Sequence, residues 1–271
     1  MLKQTSYSII FLKSAKVLCA LAFLCSNLIG QTELKEIPFK AGEQLNYDVF
    51  YELKGLWVPA GKVRFEVSDT LYKGNNCLFL DGKGKSLKSY DYFFKVRDRY
   101  SSIVDAKTLE PQKFKRQVNE GGFKLYYDYQ FDNKNEKATV ITSRKEPSKT
   151  QTINFPKGSM DVITCVYYAR TLNFENKSVG DTIPMKMMVD KQIYDNVYIR
   201  YTGKETIKGQ DGKRYDCIKF RPLLIEGTIF EEGEFMEVYV TDDENHVPVY
   251  VEAQILVGSI RAYLSSAKNI K

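Results

Sequence analysis

Alternation of apolar and polar side chains is the dominant pattern of this chain. Over residues 45–53 every second side chain is Leu, Tyr or Val, and the side chains between them are mostly polar. Successive side chains of a strand point to opposite faces of a sheet, so this period of two predicts a strand with one buried face. The alternation returns over residues 63–67, after the turn sequence GLWVPAG, which predicts a hairpin over residues 44–67.

Further segments with strand character follow along the chain. The predicted strands are 77–80, 97–104, 113–118, 123–131, 137–143, 185–189, 197–207, 215–224, 228–240, 247–257 and 259–264. Gly, Asp and Asn separate them, as in DGKG at 81–84 and GQDG at 209–212, which are sequences typical of turns. Many short strands of this kind predict an all-β architecture.

One segment departs from the period of two. From Val162 onwards apolar residues recur at helical spacing, and Ser159 precedes them as the predicted N-cap, with Asp161 in the first turn where a carboxylate favours the helix dipole. We therefore predict a helix at about 159–173. It is the one helix that the pattern supports after residue 30.

These elements together predict the fold class. We expect an all-β, mainly antiparallel fold of curved or barrel-like meander sheets with one central α-helix. The single domain covers residues 31–271 and has two meander-containing halves, at about 40–155 and 180–271, which the helix joins. The 19 Tyr and 16 Phe agree with this prediction, because aromatic side chains suit a pleated, half-buried surface.

An internal echo supports the division into halves. Residues 100–127 and 236–264 share one order of features: a strand ending in Asp, a polar turn, an apolar residue followed by Pro, a second strand, Gly and a third strand. A turn Asp accepts backbone N–H groups, and Pro is tolerated at the first position of a strand. Both segments are therefore predicted to be three-stranded meanders.

Residues 1–30 have the form of a secretory signal peptide. Lysines precede an uncharged apolar stretch with small residues near its end, and we place the cleavage site between Gly30 and Gln31. The stretch is shorter than the roughly 20 residues of a spanning helix, so no transmembrane segment is expected after cleavage. Lipid attachment at Cys19 or Cys25 is the alternative, although large apolar residues precede both where a lipobox has small ones. We expect export to the periplasm or cell envelope of a Gram-negative bacterium.

Charge and cysteine content limit the classes of function. Removal of residues 1–30 takes three lysines and lowers the formal net charge from +6 to +3, and the remaining charges alternate in sign. This gives no electrostatic footprint for nucleic acid. Cys77, Cys165 and Cys217 remain, without C-x-x-C spacing, so one disulfide and buried free thiols both stay open. No metal or cofactor is predicted.

The stretch TDDENH concentrates the candidate chemistry. It places Asp242, Asp243 and Glu244 beside His246, the only histidine of the chain. A calcium loop of EF-hand type has Gly at its sixth position, a zinc site generally needs further His or Cys ligands, and no G-x-S-x-G element accompanies the histidine. The counterpart turn in residues 100–127 keeps the Asp and the Pro but has no His. We therefore interpret the stretch as a hairpin turn.

A second acidic run, Glu231, Glu232 and Glu234, could supply the pair of carboxylates of a glycosidase. Gly233 lies within the run, and acids on one turn ordinarily face water, so a glycan hydrolase is the third alternative. Binding residues are a better hypothesis, because apolar loops and aromatic side chains mark contact sites. The candidate ligand or partner contacts are Leu56, Trp57, Val58, Tyr92, Phe94 and Tyr127.

Four separated blocks carry a family resemblance. Residues 41–67, 98–122, 160–170 and 238–264 together resemble the exported bacterial family called domain of unknown function 3108. The resemblance implies a β-rich envelope protein with no established activity, and it carries over no catalytic residue. The meander with its turn Asp and Pro is also similar at the level of fold to LolA/LolB-like lipoprotein carriers, which are curved sheets closed by helices around an apolar cavity.

We expect a non-catalytic exported protein that binds an apolar or amphipathic small molecule, such as a lipid, in a cavity between sheet and helix. A structural or protein-interaction module of the cell envelope is the alternative. The two differ in what the structure should contain, because the first needs a concave apolar space and the second needs an exposed apolar patch.

Overall fold

The computed structural model describes residues 36–143, 148–225, 233–255 and 258–271, which belong to one compact unit, Glu36–Lys271. The predicted signal segment and its cysteines lie outside these residues. The strands are β1 (Gln44–Leu53), β2 (Leu56–Tyr72), β3 (Asn75–Ser86), β4 (Arg97–Asp105), β5 (Pro111–Glu120), β6 (Phe123–Asp132), β7 (Lys137–Ser143), β8 (Lys149–Asn154), β9 (Ser159–Met160), β10 (Thr182–Val189), β11 (Gln192–Lys208), β12 (Arg214–Pro222), β13 (Met236–Thr241), β14 (Pro248–Gln254) and β15 (Ser259–Lys268). The helix is α1 (Val162–Ala169).

All described strands belong to one 15-stranded sheet, in the order β8-β7-β6-β5-β4-β3-β2-β1-β15-β14-β13-β12-β11-β10-β9. The neighbours are antiparallel except β9 and β10, which are parallel. Two meanders therefore run outwards from the centre of the sheet, where the first strand pairs with the last. Asp48 of β1 lies opposite Tyr263 of β15 in this pairing. The fold class is the one that the pattern predicts.

The sheet curls so that strands far apart in its order meet across one face, which we call the inner face. Arg116 of β5 forms an ion pair of 2.5 Å with Asp190 in the β10–β11 turn. Close by, the backbone N–H of Lys191 donates to the hydroxyl of Tyr129 on β6. Helix α1 lies on this face and packs against β3, β4 and β10. The helix thus contacts strands of both meanders, while its Val166 remains 40% exposed.

The helix is shorter than predicted and begins at a different cap. Asp161 is the N-cap and accepts the N–H of Thr164 at 3.0 Å, whereas Ser159 belongs to the short strand β9. The prediction of Ser159 as the N-cap was wrong because pairing with β10 holds the backbone extended there. Asp161 is also completely buried, which sequence spacing does not reveal.

The predicted turn at 81–84 is part of strand β3. A Cβ at Gly82 would lie 3.0 Å from the ring of Phe65 and 3.1 Å from the side chain of Ile163. Glycine therefore serves close packing of helix on sheet here, which is one of the meanings of glycine inside a strand. The connection to β4 comes later, over residues 87–96. Strand β8 was not predicted because its residues are mostly polar and exposed. Strand β9 was not predicted because two residues are too few to show an alternating pattern.

The strand directions give the curled sheet two different ends. The β1–β2, β3–β4, β5–β6, β10–β11 and β14–β15 connections gather at one end, which we call the loop end. Segment 36–43, the β13–β14 turn and the last residues of α1 meet at the other, which we call the helix end. Burial follows this division along β1: Leu45 and Tyr47 are buried near the helix end, and Val49 and Tyr51 are half-buried towards the loop end.

Candidate functional site

The acidic stretch with the histidine is the turn between β13 and β14. The carboxylate of Asp243 accepts the backbone N–H of Asn245 at 2.9 Å and that of His246 at 3.2 Å. His246 adopts a positive φ of 43°, and its Nδ1 donates to the carbonyl of Arg170 at 2.8 Å. The carboxylate and the imidazole thus serve the turn and the end of α1.

The β4–β5 turn has the same construction. Asp105 accepts two backbone N–H groups, and Leu109 adopts a positive φ of 58° two residues before Pro111. His246 stands two residues before Pro248 in the other turn, and a β-bulge follows both prolines. The echo in the sequence is therefore a repeated turn, in which His246 occupies the position of a leucine.

The other candidate for acid–base chemistry is engaged in ion pairing. Burial acts to raise the pKa of Glu234, but hydrogen bonds from Tyr198 and Arg200 outweigh it, so its pKa is lowered. Glu231 and Glu232 lie outside the described residues. Over the described ranges no group of three His, Cys, Asp or Glu side chains is arranged to hold a metal ion. The cysteines at 77, 165 and 217 are free and buried.

A buried ion pair at the helix end has no signature in the sequence. Arg170 binds Glu43 through two hydrogen bonds of 2.6 and 2.9 Å, and both side chains are at least 97% buried. The guanidinium also donates to the carbonyl of Asn245 and lies over the ring of Phe39. This network joins the end of α1 to segment 36–43 and to the β13–β14 turn, so it closes the helix end.

A second buried polar group anchors the start of α1. Asp161 accepts hydrogen bonds from the hydroxyls of Ser102 at 2.7 Å and Thr164 at 2.8 Å. Burial raises the pKa of Asp161 to about 6, against the opposing effect of these hydrogen bonds. Since Asp161 and Thr164 are both fully buried, the group is positioned to hold the helix on the sheet and not to meet a solute.

At the loop end, the structure places the predicted Trp57 loop on the β1–β2 hairpin. Leu56 is 70% exposed, while Trp57 and Val58 are half-buried. The guanidinium of Arg261 on β15 lies 3.9 Å from the centre of the Trp57 ring, and it also pairs with Glu252. Trp57 is therefore held against the outer face beside Leu56.

The β3–β4 connection carries the exposed aromatic residues of this end. Tyr92 is 91% exposed, Phe93 77% and Phe94 42%. The connection is firmly built, because Asp91 forms two hydrogen bonds of 2.6 and 3.0 Å with Arg97 and also accepts the hydroxyl of Ser86. Phe93 was not among the predicted contacts, although it continues the aromatic run between Tyr92 and Phe94.

Contacts join the connections of the loop end into a row. The ring of Tyr51 on β1 meets that of Tyr90 in the β3–β4 connection, with their centres 6.1 Å apart. A Cβ at Gly258 would lie 3.2 Å from Tyr51, and one at Gly121 would lie 2.6 Å from the ring of Phe94. Four consecutive connections thus form one continuous edge.

Tyr127, the last predicted contact residue, lies apart from these loops. It is 8% exposed on the inner face of β6, with its ring 5.7 Å from that of Tyr129. Near it, Arg116 donates to the hydroxyl of Tyr100 and pairs with Asp190. Five of the six predicted contacts therefore share the loop end, and Tyr127 belongs to the inner wall.

A pocket of about 390 Å³ lies on the other face of the sheet. Its lining includes Glu66, Asp69, Phe79 and Asp81. Asp81 pairs with Arg99 and Lys83, and hydrogen bonds from these two residues lower its pKa against the effect of burial. Its mixed polar and apolar lining and its place on the outer face distinguish this pocket from the apolar cavity that was predicted between sheet and helix.

Side chains of α1 pack closely against the sheet and against segment 36–43. The ring of Tyr167 lies 4.8 Å from that of Phe39 and 6.3 Å from that of Phe65, measured between ring centres. Ile163 packs over Gly82 in the same region. The side chains of α1 are therefore in direct contact with their neighbours where the helix meets the sheet.

A curled, mainly antiparallel sheet around one short helix defines this molecule as a β-barrel-like protein. The chain belongs to the family of proteins of unknown function described as DUF3108, whose model matches residues 46–265. Among solved structures, the chain is similar to a β-barrel-like protein of domain of unknown function DUF1849 from Brucella abortus. The two share 9% sequence identity with a TM-score of 0.54, over 84% of this chain and 98% of the other. This likeness concerns the fold.

No curated protein matched the chain in sequence. The family match points to no catalytic family, and it confirms the family resemblance drawn from the four sequence blocks. Among the described residues no helix has the length and apolar character needed to cross a membrane.

Proposed function

We propose that this protein is a non-catalytic exported protein of the cell envelope that binds an apolar or amphipathic small molecule in the barrel interior, between α1 and the loop end. The fall in burial of inner-facing side chains towards the loop end carries the proposal. On β1 the exposure is 2% at Leu45 and 4% at Tyr47, whereas Val49 and Tyr51 are half-buried. On β13, Val240 is buried and Val238 is half-buried.

Small residues flank Val49 on the inner wall. Its partner on β15 is Ala262, and its partner on β2 is Gly61, where the backbone carbonyl of Lys85 on β3 lies 2.7 Å from the position of a Cβ. Val58 and Ile260 continue this half-buried apolar surface towards the loop end. Ligand sites are typically lined mostly by apolar side chains, and the apolar character of this part of the wall supports the proposal.

Binding of dansyl-undecanoic acid below its micelle concentration tests the proposal. Trp57 is the only tryptophan and serves as the energy-transfer donor. We expect saturable transfer, and we expect Val49→Phe to weaken binding at least tenfold, because the larger ring projects into the barrel interior beside Ala262. Lys62→Phe is the matched control, since Lys62 is exposed on β2 next to Gly61 and points to the opposite face.

Urea unfolding of both variants establishes that they fold. The proposal fails if the probe does not bind, or if Val49→Phe and Lys62→Phe bind it equally well. Export rests on the predicted signal segment, and N-terminal sequencing of the protein recovered from the periplasm should begin at Gln31. A start at residue 1 contradicts that part of the proposal.

A further inference from the structure

We propose that the exposed edge of the loop end docks on the surface of an anionic phospholipid bilayer. The edge consists of Leu56, Tyr92, Phe93 and Phe94, and we call it the apolar edge. This inference deepens the proposed function, since it names the surface from which an amphipathic ligand enters or leaves. Two independent features carry it: the fixed outward presentation of apolar side chains and the basic residues around them.

The apolar edge is held in place and is not a frayed loop. Backbone N–H groups of Phe93 and Phe94 donate to the carbonyl of Tyr90 at 2.9 and 3.1 Å. The ring of Phe94 lies over Gly121, whose N–H donates to the carbonyl of Lys95 at 2.9 Å. Backbone hydrogen bonds therefore fix the connection that presents these side chains to solvent. Docking would cost little further conformational entropy, because the backbone is already ordered.

Exposed lysines surround the apolar edge. Lys54 lies on the β1–β2 hairpin, Lys88 and Lys95 lie on the β3–β4 connection, and Lys124 lies on β6 beside the β5–β6 turn. The carboxylates on the first two connections have partners inside the protein. Asp91 binds Arg97 and Ser86 as described above, and Glu52 accepts the N–H of Gly55 at 3.0 Å. The four lysines outnumber the acidic side chains of these connections, which are Glu52, Asp91 and Glu120, so the edge carries a net positive charge.

This combination matches the interface of an anionic bilayer. Aromatic and leucine side chains enter the boundary between headgroups and acyl chains, and lysines reach the phosphates. An acidic protein would match the lysines but would not account for three consecutive exposed aromatic side chains. A zwitterionic bilayer would match the aromatic side chains alone. The bilayer with net negative charge accounts for both features.

Vesicle sedimentation and Trp57 fluorescence test the inference. The vesicles are phosphatidylcholine alone and phosphatidylcholine with 30% phosphatidylglycerol. We expect binding to the anionic vesicles, weakened by 0.5 M salt, together with a change in the emission of Trp57, which lies next to Leu56. Each lysine near an anionic surface contributes about fivefold to affinity. The variant Lys54→Gln/Lys88→Gln/Lys124→Gln should therefore bind about a hundredfold more weakly.

Matched controls come from the helix end. Lys107, Lys134 and Lys177 are exposed there, and changing all three to Gln removes the same charge without touching the apolar edge. Tyr92→Ser/Phe93→Ser should abolish binding, whereas Leu71→Ser should not, although Leu71 is 73% exposed. Equal losses in the two lysine variants, or unchanged binding by Tyr92→Ser/Phe93→Ser, would overturn the inference.

The outcomes also separate this inference from the proposed function. If dansyl-undecanoic acid binds but anionic vesicles do not, the proposed docking surface is refuted and the proposed ligand site is supported. If the protein binds vesicles in the expected way but does not bind the probe, the proposed ligand site is refuted and the proposed docking surface is supported. Binding to soluble poly-glutamate as strong as that to anionic vesicles, independent of Tyr92 and Phe93, would identify an acidic macromolecule and refute the bilayer.

Discussion

The buried ion pair between Glu43 and Arg170 offers a direct test of how the helix end is closed. Glu43→Gln should lower the free energy of unfolding by about 3 kcal/mol, because it leaves a buried guanidinium without its counter-ion. Breaking such a pair ordinarily costs about 3–5 kcal/mol. We expect the lower end of this range, since Arg170 keeps its contacts with the carbonyl of Asn245 and the ring of Phe39.

Urea unfolding followed by circular dichroism measures this change, in a double-mutant cycle with Arg170→Met. The double variant has no unpaired buried charge, so its loss should be smaller than the sum of the single losses by about 2 kcal/mol or more. Asp48→Asn is the control, because Asp48 forms an exposed pair with Lys62, and it should cost less than about 1 kcal/mol. A loss below about 1 kcal/mol for Glu43→Gln, or an additive cycle, would refute the reasoning.

The remaining predictions concern the contact between α1 and the sheet. Because burial raises the pKa of Asp161 from 3.8 to about 6, the unfolded chain loses this proton at lower pH than the folded protein, so stability falls between about pH 4 and pH 6 by about 3 kcal/mol and is constant above. Asp161→Asn keeps an N-cap and should remove this fall, and a wild-type-minus-variant difference that stays flat from pH 4 to pH 7 would contradict it. Gly82→Ala should lower the unfolding free energy by about 1–3 kcal/mol, because its Cβ meets Phe65 and Ile163. Gly84→Ala is the control, as its nearest neighbour lies at 3.9 Å; equal urea midpoints for the two alanine variants would count against close packing at Gly82.

Most strands could be predicted because their signal is local. The alternation over residues 45–53 appears directly as β1, with Leu45 and Tyr47 buried. The prediction was wrong where a tertiary contact overrides the local preference of a residue for a turn or an N-cap. Gly82 lies in a sequence typical of a turn, but it belongs to a strand on which Ile163 packs closely. Ser159 is a residue type typical of an N-cap, but it pairs with β10.

The candidate site shows the same limits. Leu56 was proposed as part of an apolar loop and Tyr92 as part of an aromatic run, and both are exposed at the loop end. Their gathering at one edge depends on strand directions that no local pattern encodes. The buried pair of Glu43 and Arg170 could not be found, since an isolated acid and an isolated base 127 residues apart carry no spacing signal.

By itself, the sequence determined the alternation of strand faces, the helix that follows Asp161 and the two turns in which Asp105 and Asp243 bind backbone N–H groups. These features depend on neighbours within a few residues. Only the tertiary structure decided that β1 pairs with β15, that the sheet curls around α1, and which end is closed. Such choices are made by contacts like that of the Tyr47 hydroxyl with the carbonyl of Pro248, 201 residues away. Their free energy depends on the three-dimensional path of the whole chain.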